Sequence, residues 1–259
     1  MAEMKVFFDG RFDAGLRFDN FVAGEANQFA IDAAKNFTEL NNGHHGPLLI
    51  YGERGSGKSH LAHAIANMMQ EYNPQSITGV CYASGFVKHV EQAYKTQAIA
   101  HFRHYCHSLD FLVVDDIGRI ANQARSQKEL IYACDSLSAA HKHVALTIDT
   151  SSENIIDNIP NGKFVSWFSS GLFVTLKPPE LELRIAILDQ KAKQRGYALD
   201  MDTALFIVSC FNSNIRELES ALMRTIAYAI FHRCNLTVET AKEALHDRAK
   251  ERGLLGLLD

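Results

Sequence analysis

Pro47-Leu-Leu-Ile-Tyr51-Gly52-Glu-Arg-Gly55-Ser56-Gly57-Lys58-Ser59-His60 is the stretch on which the fold turns. From Gly52 to Ser59 it satisfies G-x-x-x-x-G-K-[ST] in full, with an apolar run before it and a helical pattern, His60–Met69, after it. The residue types follow from the chemistry. Glycines let successive backbone N–H groups turn inward toward phosphate oxygens. The start of the following helix adds a partial positive charge at the same place. Lys58 is expected to reach the β- and γ-phosphates, and the Ser59 hydroxyl to ligate Mg²⁺. The stretch therefore predicts a site for ATP or ADP with Mg²⁺, formed by Gly52, Gly55, Ser56, Gly57, Lys58, Ser59 and His60.

Outward from this loop, five short apolar runs read as buried strands: Leu48–Tyr51, Gly79–Tyr82, Phe111–Asp115, Val144–Ile148 and Leu172–Leu176. Unbroken apolar runs suit parallel strands covered on both faces. Helical periodicity lies between them, as in Ser59–Tyr72 and Phe86–Tyr105, so the expected core is α/β with a five-stranded parallel sheet. Residues 1–24 read as a loose leader and residues 25–177 as the core. At Pro178-Pro179 the character changes. Glu180–Gly196, Thr203–Cys210, Asn214–His232 and Thr237–Arg252 all look helical, which predicts a small all-helical domain over 178–259.

The 259-residue length accommodates one sizeable core and a smaller attached domain. A net charge of −4 excludes a strongly basic, histone-like binder, although a local basic patch remains compatible with it. Cys81, Cys106, Cys134, Cys210 and Cys234 form no CxxC pair and read as reduced thiols. The N-terminus lacks the apolar segment of a signal peptide, and no apolar run nears the roughly 18–20 residues of a membrane helix. The expectation is a cytoplasmic protein with no membrane partner.

Phe111-Leu-Val-Val-Asp115-Asp116 is an apolar strand ending in two carboxylates. Beside a phosphate loop, Asp115 is the candidate to hold Mg²⁺ and Asp116 the candidate base that orients water. Aspartate is shorter than glutamate in the base role, so hydrolysis is expected to be slow. Leu146-Thr147-Ile148-Asp149 ends another strand on the same sheet edge, where Asp149 or Thr147 could contact the γ-phosphate or the water. His101, His104 and His107 recur every third residue on one helix face, which reads as an ordinary helix surface before it reads as a metal site.

With these motifs in place, the sequence resembles the AAA+ domain of the bacterial replication initiator DnaA family. Phe18-Asp-Asn-Phe-Val-Ala-Gly24 resembles the family's opening motif near the adenine. Lys58-Ser-His-Leu-Ala-His-Ala-Ile65, Phe111-Leu-Val-Val-Asp-Asp-Ile117, Arg125-Ser-Gln-Lys-Glu-Leu130 and Pro178-Pro-Glu-Leu-Glu-Leu-Arg-Ile-Ala-Ile-Leu188 are similar to it as well. Asn214-Ile-Arg-Glu-Leu-Glu-Ser-Ala-Leu222 resembles its second sensor, which implies that Arg216 contacts the nucleotide. The resemblance implies an ATPase core, a helical lid and nucleotide-controlled assembly. It also implies that residues 86–110 match an insertion lining single-stranded DNA, where Lys88, Arg103, His104 and Arg125 could meet phosphates.

Three departures narrow the functional expectation. Trp167, in Ser166-Trp167-Phe168, stands where the family has a finger arginine, and an indole cannot donate charged, bidentate hydrogen bonds. Lys163 is the nearest substitute. Thr150 stands where the family often has arginine. No helix-turn-helix domain follows the last helices, so sequence-specific duplex DNA is not an expected partner. The expected role is in replication initiation or helicase loading, with DnaA, the replicative helicase, single-stranded DNA or a further copy of the chain as partners. An Hda-like regulator is one alternative. The other is a non-hydrolysing, nucleotide-gated adaptor, with Trp167 as a protein-contacting aromatic.

Overall fold

The structure, a computed structural model of the 259-residue chain, describes residues 8, 13–39, 46–149, 171–211 and 214–251. The chain divides into two compact units, Met1–Phe21 with Asn27–Lys177, and Val22–Ala26 with Pro178–Asp259. In the first unit, β1 (Leu48–Gly52), β2 (Thr78–Tyr82), β3 (Phe111–Asp115), β4 (His143–Asp149) and β5 (Leu172–Leu176) form one sheet. Its order is β2-β3-β4-β1-β5 and every pairing is parallel. Each expected apolar run lies within one of these strands.

The two faces of the sheet explain why those runs do not alternate with polar residues. Phe111 and Val113 pack with Leu48, Ile50, Leu61 and Ile65 on one face, beneath α1 (Gln28–Thr38) and α2 (Lys58–Tyr72). Leu112 and Val114 point to the other face with Phe86, Phe102, Leu130 and Leu137. That face is covered by α3 (Ala83–Lys95), α4 (Ile99–Ser108) and α5 (Ala124–Ala139). A strand covered on both sides favours apolar residues on both faces, and all five residues of β3 are buried, four of them apolar and the last the carboxylate of Asp115.

Two local features differ from the sequence expectation. The helical pattern over Phe86–Tyr105 is divided between α3 and α4 by Thr96-Gln97-Ala98, where Gln97 has φ 54°. A left-handed residue cannot continue a right-handed helix, and no glycine or proline advertises the break. Residues 13–21, expected to be part of a loose leader, are instead bonded to α2 through His60, His63 and Asn67.

The second unit contains α6 (Leu181–Lys193), α7 (Met201–Cys210), α8 (Ile215–His232) and α9 (Val238–Glu251). Among its described residues there is no strand. Asp200 caps α7 by accepting from Thr203 N–H at 2.7 Å, and Asn214 caps α8 by accepting from Glu217 N–H at 3.0 Å. Leu188, Ile207, Leu218, Leu222, Ile226 and Leu245 form its core. None of the five thiols forms a disulfide: Cys106, Cys134 and Cys210 are buried, Cys81 is half-buried and Cys234 is exposed. Burial pushes the Cys106 thiol up to about 12 and raises those of Cys134 and Cys210. No described helix is long and apolar enough to cross a membrane.

Candidate functional site

Parallel pairing brings the C-terminal ends of β1, β3 and β4 to one edge of the sheet, where open α/β sheets place their ligands. The register sets Gly52 opposite Asp149 and Ile50 opposite Thr147. The loop after Gly52 reaches α2 through Gly55 (φ 80°) and Gly57 (φ 101°), conformations that side-chain-bearing residues avoid. A Cβ on Gly52 would stand 2.9 Å from Ser56 Oγ, so the strand end has no room for a side chain.

The polar groups of this loop suit an anion rich in acceptor oxygens. Lys58, which opens α2 and is 9% exposed, donates from Nζ to the carbonyl oxygens of Gly52 (2.8 Å) and Glu53 (2.7 Å). Ser56 Oγ is buried with no hydrogen-bond partner, which is costly unless something bonds to it. A phosphate answers that requirement while the N-terminus of α2 faces it.

Thr147 arranges the acidic pair. Its buried hydroxyl donates to Asp115 Oδ1 and accepts from the Asp116 N–H at 2.8 Å. Asp115 is itself buried. Thr147 therefore serves the carboxylates, and its hydroxyl is not turned to a phosphate or water as the sequence suggested. Asp116 sits in left-handed backbone (φ 62°), and its Oδ2 accepts from Arg119 Nε at 2.7 Å. That arginine is well exposed, so the pair is weak and easily released. Asp149 ends β4 beside Gly52. No group of three or more His, Cys, Asp or Glu among the described residues could hold a metal ion, and this covers His101, His104 and His107. A magnesium ion would therefore need phosphate oxygens to complete the ligands offered by Ser59 and Asp115.

The chain preceding α1 closes the other side of the loop. Phe21 meets the His60 ring edge-on at 4.9 Å, and its ring lies 3.3 Å from where a Gly57 Cβ would stand. His60 Nε2 bonds to Arg17 O (3.0 Å) and Asn20 Oδ1 (2.9 Å). His60 thus holds the Phe18–Asn20 turn through its side chain.

Of the DNA candidates, Arg103 is already engaged within the protein. Its guanidinium forms a two-pronged pair with Glu129, Nε to Oε2 at 2.7 Å and a terminal nitrogen to Oε1 at 2.8 Å, and lies 4.9 Å over the Tyr132 ring. Tyr94 adds a hydroxyl bond to Glu129 Oε1 at 2.7 Å. The Glu129 side chain is fully buried, so Arg103 is held as its counter-ion, joining α4 to α5. Burial pushes the Glu129 carboxyl up, but the Arg103 and Tyr94 bonds outweigh it and hold it below its ordinary value. Arg125 stacks 5.0 Å over the Tyr94 ring. Lys88 and His104 are exposed on α3 and α4.

Arg216 is exposed in the first turn of α8, in the second unit. Trp167, Lys163 and Thr150 lie outside the described residues. Sequence reasoning missed His63 and Asn67. Their signal is a polar residue at each of positions 60, 63 and 67, which share one face of α2 within its apolar middle, Leu61–Met69.

A family model of the bacterial DnaA ATPase domain matches residues 12–175. The chromosomal replication initiator protein DnaA of Herminiimonas arsenicoxydans is 40% identical over 237 residues, covering 92% of this chain and 51% of that protein. The chain thus spans about half the length of the curated relatives it matches. Domain III of the Thermotoga maritima replication initiation protein DnaA superposes with a TM-score of 0.85 at 25% identity, covering 92% of this chain and 98% of that one. A replication initiator DnaA bound to AMPPCP and single-stranded DNA shares the fold, with a TM-score of 0.73 at 22% identity over 92% of this chain and 83% of its own.

Proposed function

The chain belongs to the bacterial DnaA ATPase-domain family, and from that premise we propose that it binds ATP or ADP with Mg²⁺ between β1 and α2 and acts in DNA replication initiation or helicase loading. The observation that carries the reading is the loop itself: two left-handed glycines, a buried lysine and an orphaned Ser56 hydroxyl on the sheet edge that also holds Asp115. In this reading Gly55, Gly57 and Ser59 present main-chain donors, and Ser56 its hydroxyl, to the phosphates. Lys58 exchanges two carbonyls for phosphate oxygens. Ser59 and Asp115 hold the metal, which withdraws charge from the phosphates. Phe21 and His60 border the site on the side of residues 13–21, and Arg216, on α8, is the residue proposed as sensor.

The relative bound to single-stranded DNA supports a similar partner for α3, α4 and the start of α5, with Lys88 and Arg125, neither tied to a buried carboxylate as Arg103 is, as the residues to meet it. DnaA, the replicative helicase or a further copy of this chain are the protein partners proposed. A second reading, the nucleotide-gated adaptor that does not turn over, is favoured by one observation: Asp116, the candidate base, already has its carboxylate on Arg119.

Calorimetric titration with ATP and with ADP, each with magnesium, tests the site. Wild-type protein binds, and Lys58→Ala weakens binding by about a hundredfold, the ~2.7 kcal/mol of charge-assisted hydrogen bonds to phosphate. Equal affinity in the variant overturns the assignment. Phosphate release separates the two readings: turnover stimulated by single-stranded DNA or helicase favours the ATPase, and its absence with nucleotide retained favours the adaptor.

A further inference from the structure

The two carboxylates at the end of β3 are followed by one tight turn, Ile117–Ile120, wound as a 3-10 helix. Three residues per turn set the side chains at i and i+3 above one another. Ile117 and Ile120 take the inner side of the turn and are buried in the core that holds Phe86 and Leu130. By the same spacing Asp116 and Arg119 share the outer side. The Arg119 N–H donates to Asp116 O at 3.2 Å, and Arg119 Nε donates to Asp116 Oδ2 at 2.7 Å. The far end of the turn is pinned by Gln127, a buried residue of α5. Its Nε2 donates to Ile120 O at 3.2 Å and to Ala121 O.

The backbone of Asp116 is held as firmly. It lies in left-handed conformation (φ 62°), and its N–H donates at 2.8 Å to the Thr147 hydroxyl, which in turn donates to Asp115. The freedom left in this network is in the two outer side chains, which are 37% and 68% exposed. Among the described residues, Arg119 makes the only side-chain bond to the Asp116 carboxylate.

We propose that Arg119 is a positioning residue that latches Asp116, so that the candidate base starts each turnover bound to its own chain. This rests on the nucleotide reading of the loop and adds a control to that site. To orient a water, the carboxylate must exchange a charged N–H donor for the water's O–H. The turn cannot follow the base, because Ile117, Ile120 and Gln127 fix it from within. Release is therefore a rotation of the Arg119 side chain alone. An exposed ion pair is a weak restraint and holds a rate back by up to about fivefold. That size makes it a latch and not a block, and it acts in addition to the short reach of aspartate. It needs no ligand or partner, since the i, i+3 spacing of the turn builds it in.

Phosphate release by the full chain at saturating ATP with magnesium tests this. Calorimetric titration of each protein with ATP and magnesium comes first, so a failure of the nucleotide reading shows separately, as absent binding. Arg119→Ala is expected to raise kcat by about two- to fivefold with KM unchanged, a gain that a merely structural role would not produce. Adding Asp116→Asn to that variant abolishes the gain, because it passes through the carboxylate. Salt gives an independent measure. Between about 0.05 and 0.5 M it screens the exposed pair, so wild-type kcat rises toward that of Arg119→Ala while the variant's stays level. ATP binding with kcat unchanged or lowered in Arg119→Ala overturns the latch. A gain that survives Asp116→Asn overturns it as well, and so does an equal salt response in wild type and Arg119→Ala.

Discussion

Glu129 illustrates what a single residue can require of its surroundings. A carboxylate with no exposed side-chain surface must be paired, and Arg103 pairs it through two bonds while Tyr94 adds a third. Arg103→Ala leaves that charge stranded and destabilises the first unit by about 3 kcal/mol, whereas replacing both Arg103 and Glu129 by apolar residues recovers much of the loss. Chemical denaturation of the single and double variants measures the difference, and an unchanged midpoint in Arg103→Ala would remove this account. The sequence made Arg103 a candidate for phosphate because a basic residue among aromatics on a helix carries the same pattern in both roles. Its partner, 26 positions away on another helix, is visible only in the fold. Lys58, by contrast, was legible at once, because its spacing from Gly52 is imposed by the loop. Asp115 was legible as the end of an apolar strand, and its burial and its bond from Thr147 were not.

At the scale of elements, the strands were legible and the helix ends were not. Burial on both faces leaves a run of apolar residues that turns and loops do not imitate, so each of the five strands lies where its run does. The break between α3 and α4 left no such mark. Phe86, Val90 and Ala93 on one side of it, and Phe102, Tyr105 and Cys106 on the other, keep helical spacing toward one shared core. Gln97, at φ 54°, makes the corner with a side chain that this backbone disfavours. Gln97→Gly relieves the strain at some cost in unfolded-state entropy, and is expected to raise stability by about 0.5 kcal/mol. A small rise in the denaturation midpoint with unchanged slope is the outcome to look for, and a fall would mean that Gln97 makes contacts worth more than its strain.

For the whole molecule, pH dependence follows from a group buried where residues 13–21 meet α2. Desolvation lowers the His63 pKa below 6.5, against the opposing pull of Asp115 and Asp13. The sign is fixed by linkage: above pH 6.5 both folded and unfolded chains carry a neutral ring and stability is fully present. As the pH falls, the unfolded chain takes up the proton first, and stability declines until the folded ring is protonated in turn. Unfolding of the wild type should therefore become easier as the pH falls below 6.5, and His63→Gln, which does not titrate, should lose part of that slope. Equal slopes in the two proteins would place the dependence on other groups. The segment over residues 13–21 was the part of the described chain least readable from sequence. Residues 13–21 have neither strand nor helix periodicity, and their order comes from bonds to side chains some 50 positions further on.

The distribution of sulfur has a practical use. Three thiols are shut in the interior and held protonated by their burial, a fourth is half-covered, and Cys234 stands in solvent just past the end of α8. A maleimide dye at neutral pH will therefore mark the helical unit at this one position well ahead of the others. Such a dye provides an optical reporter on that unit during nucleotide addition, without any engineered cysteine.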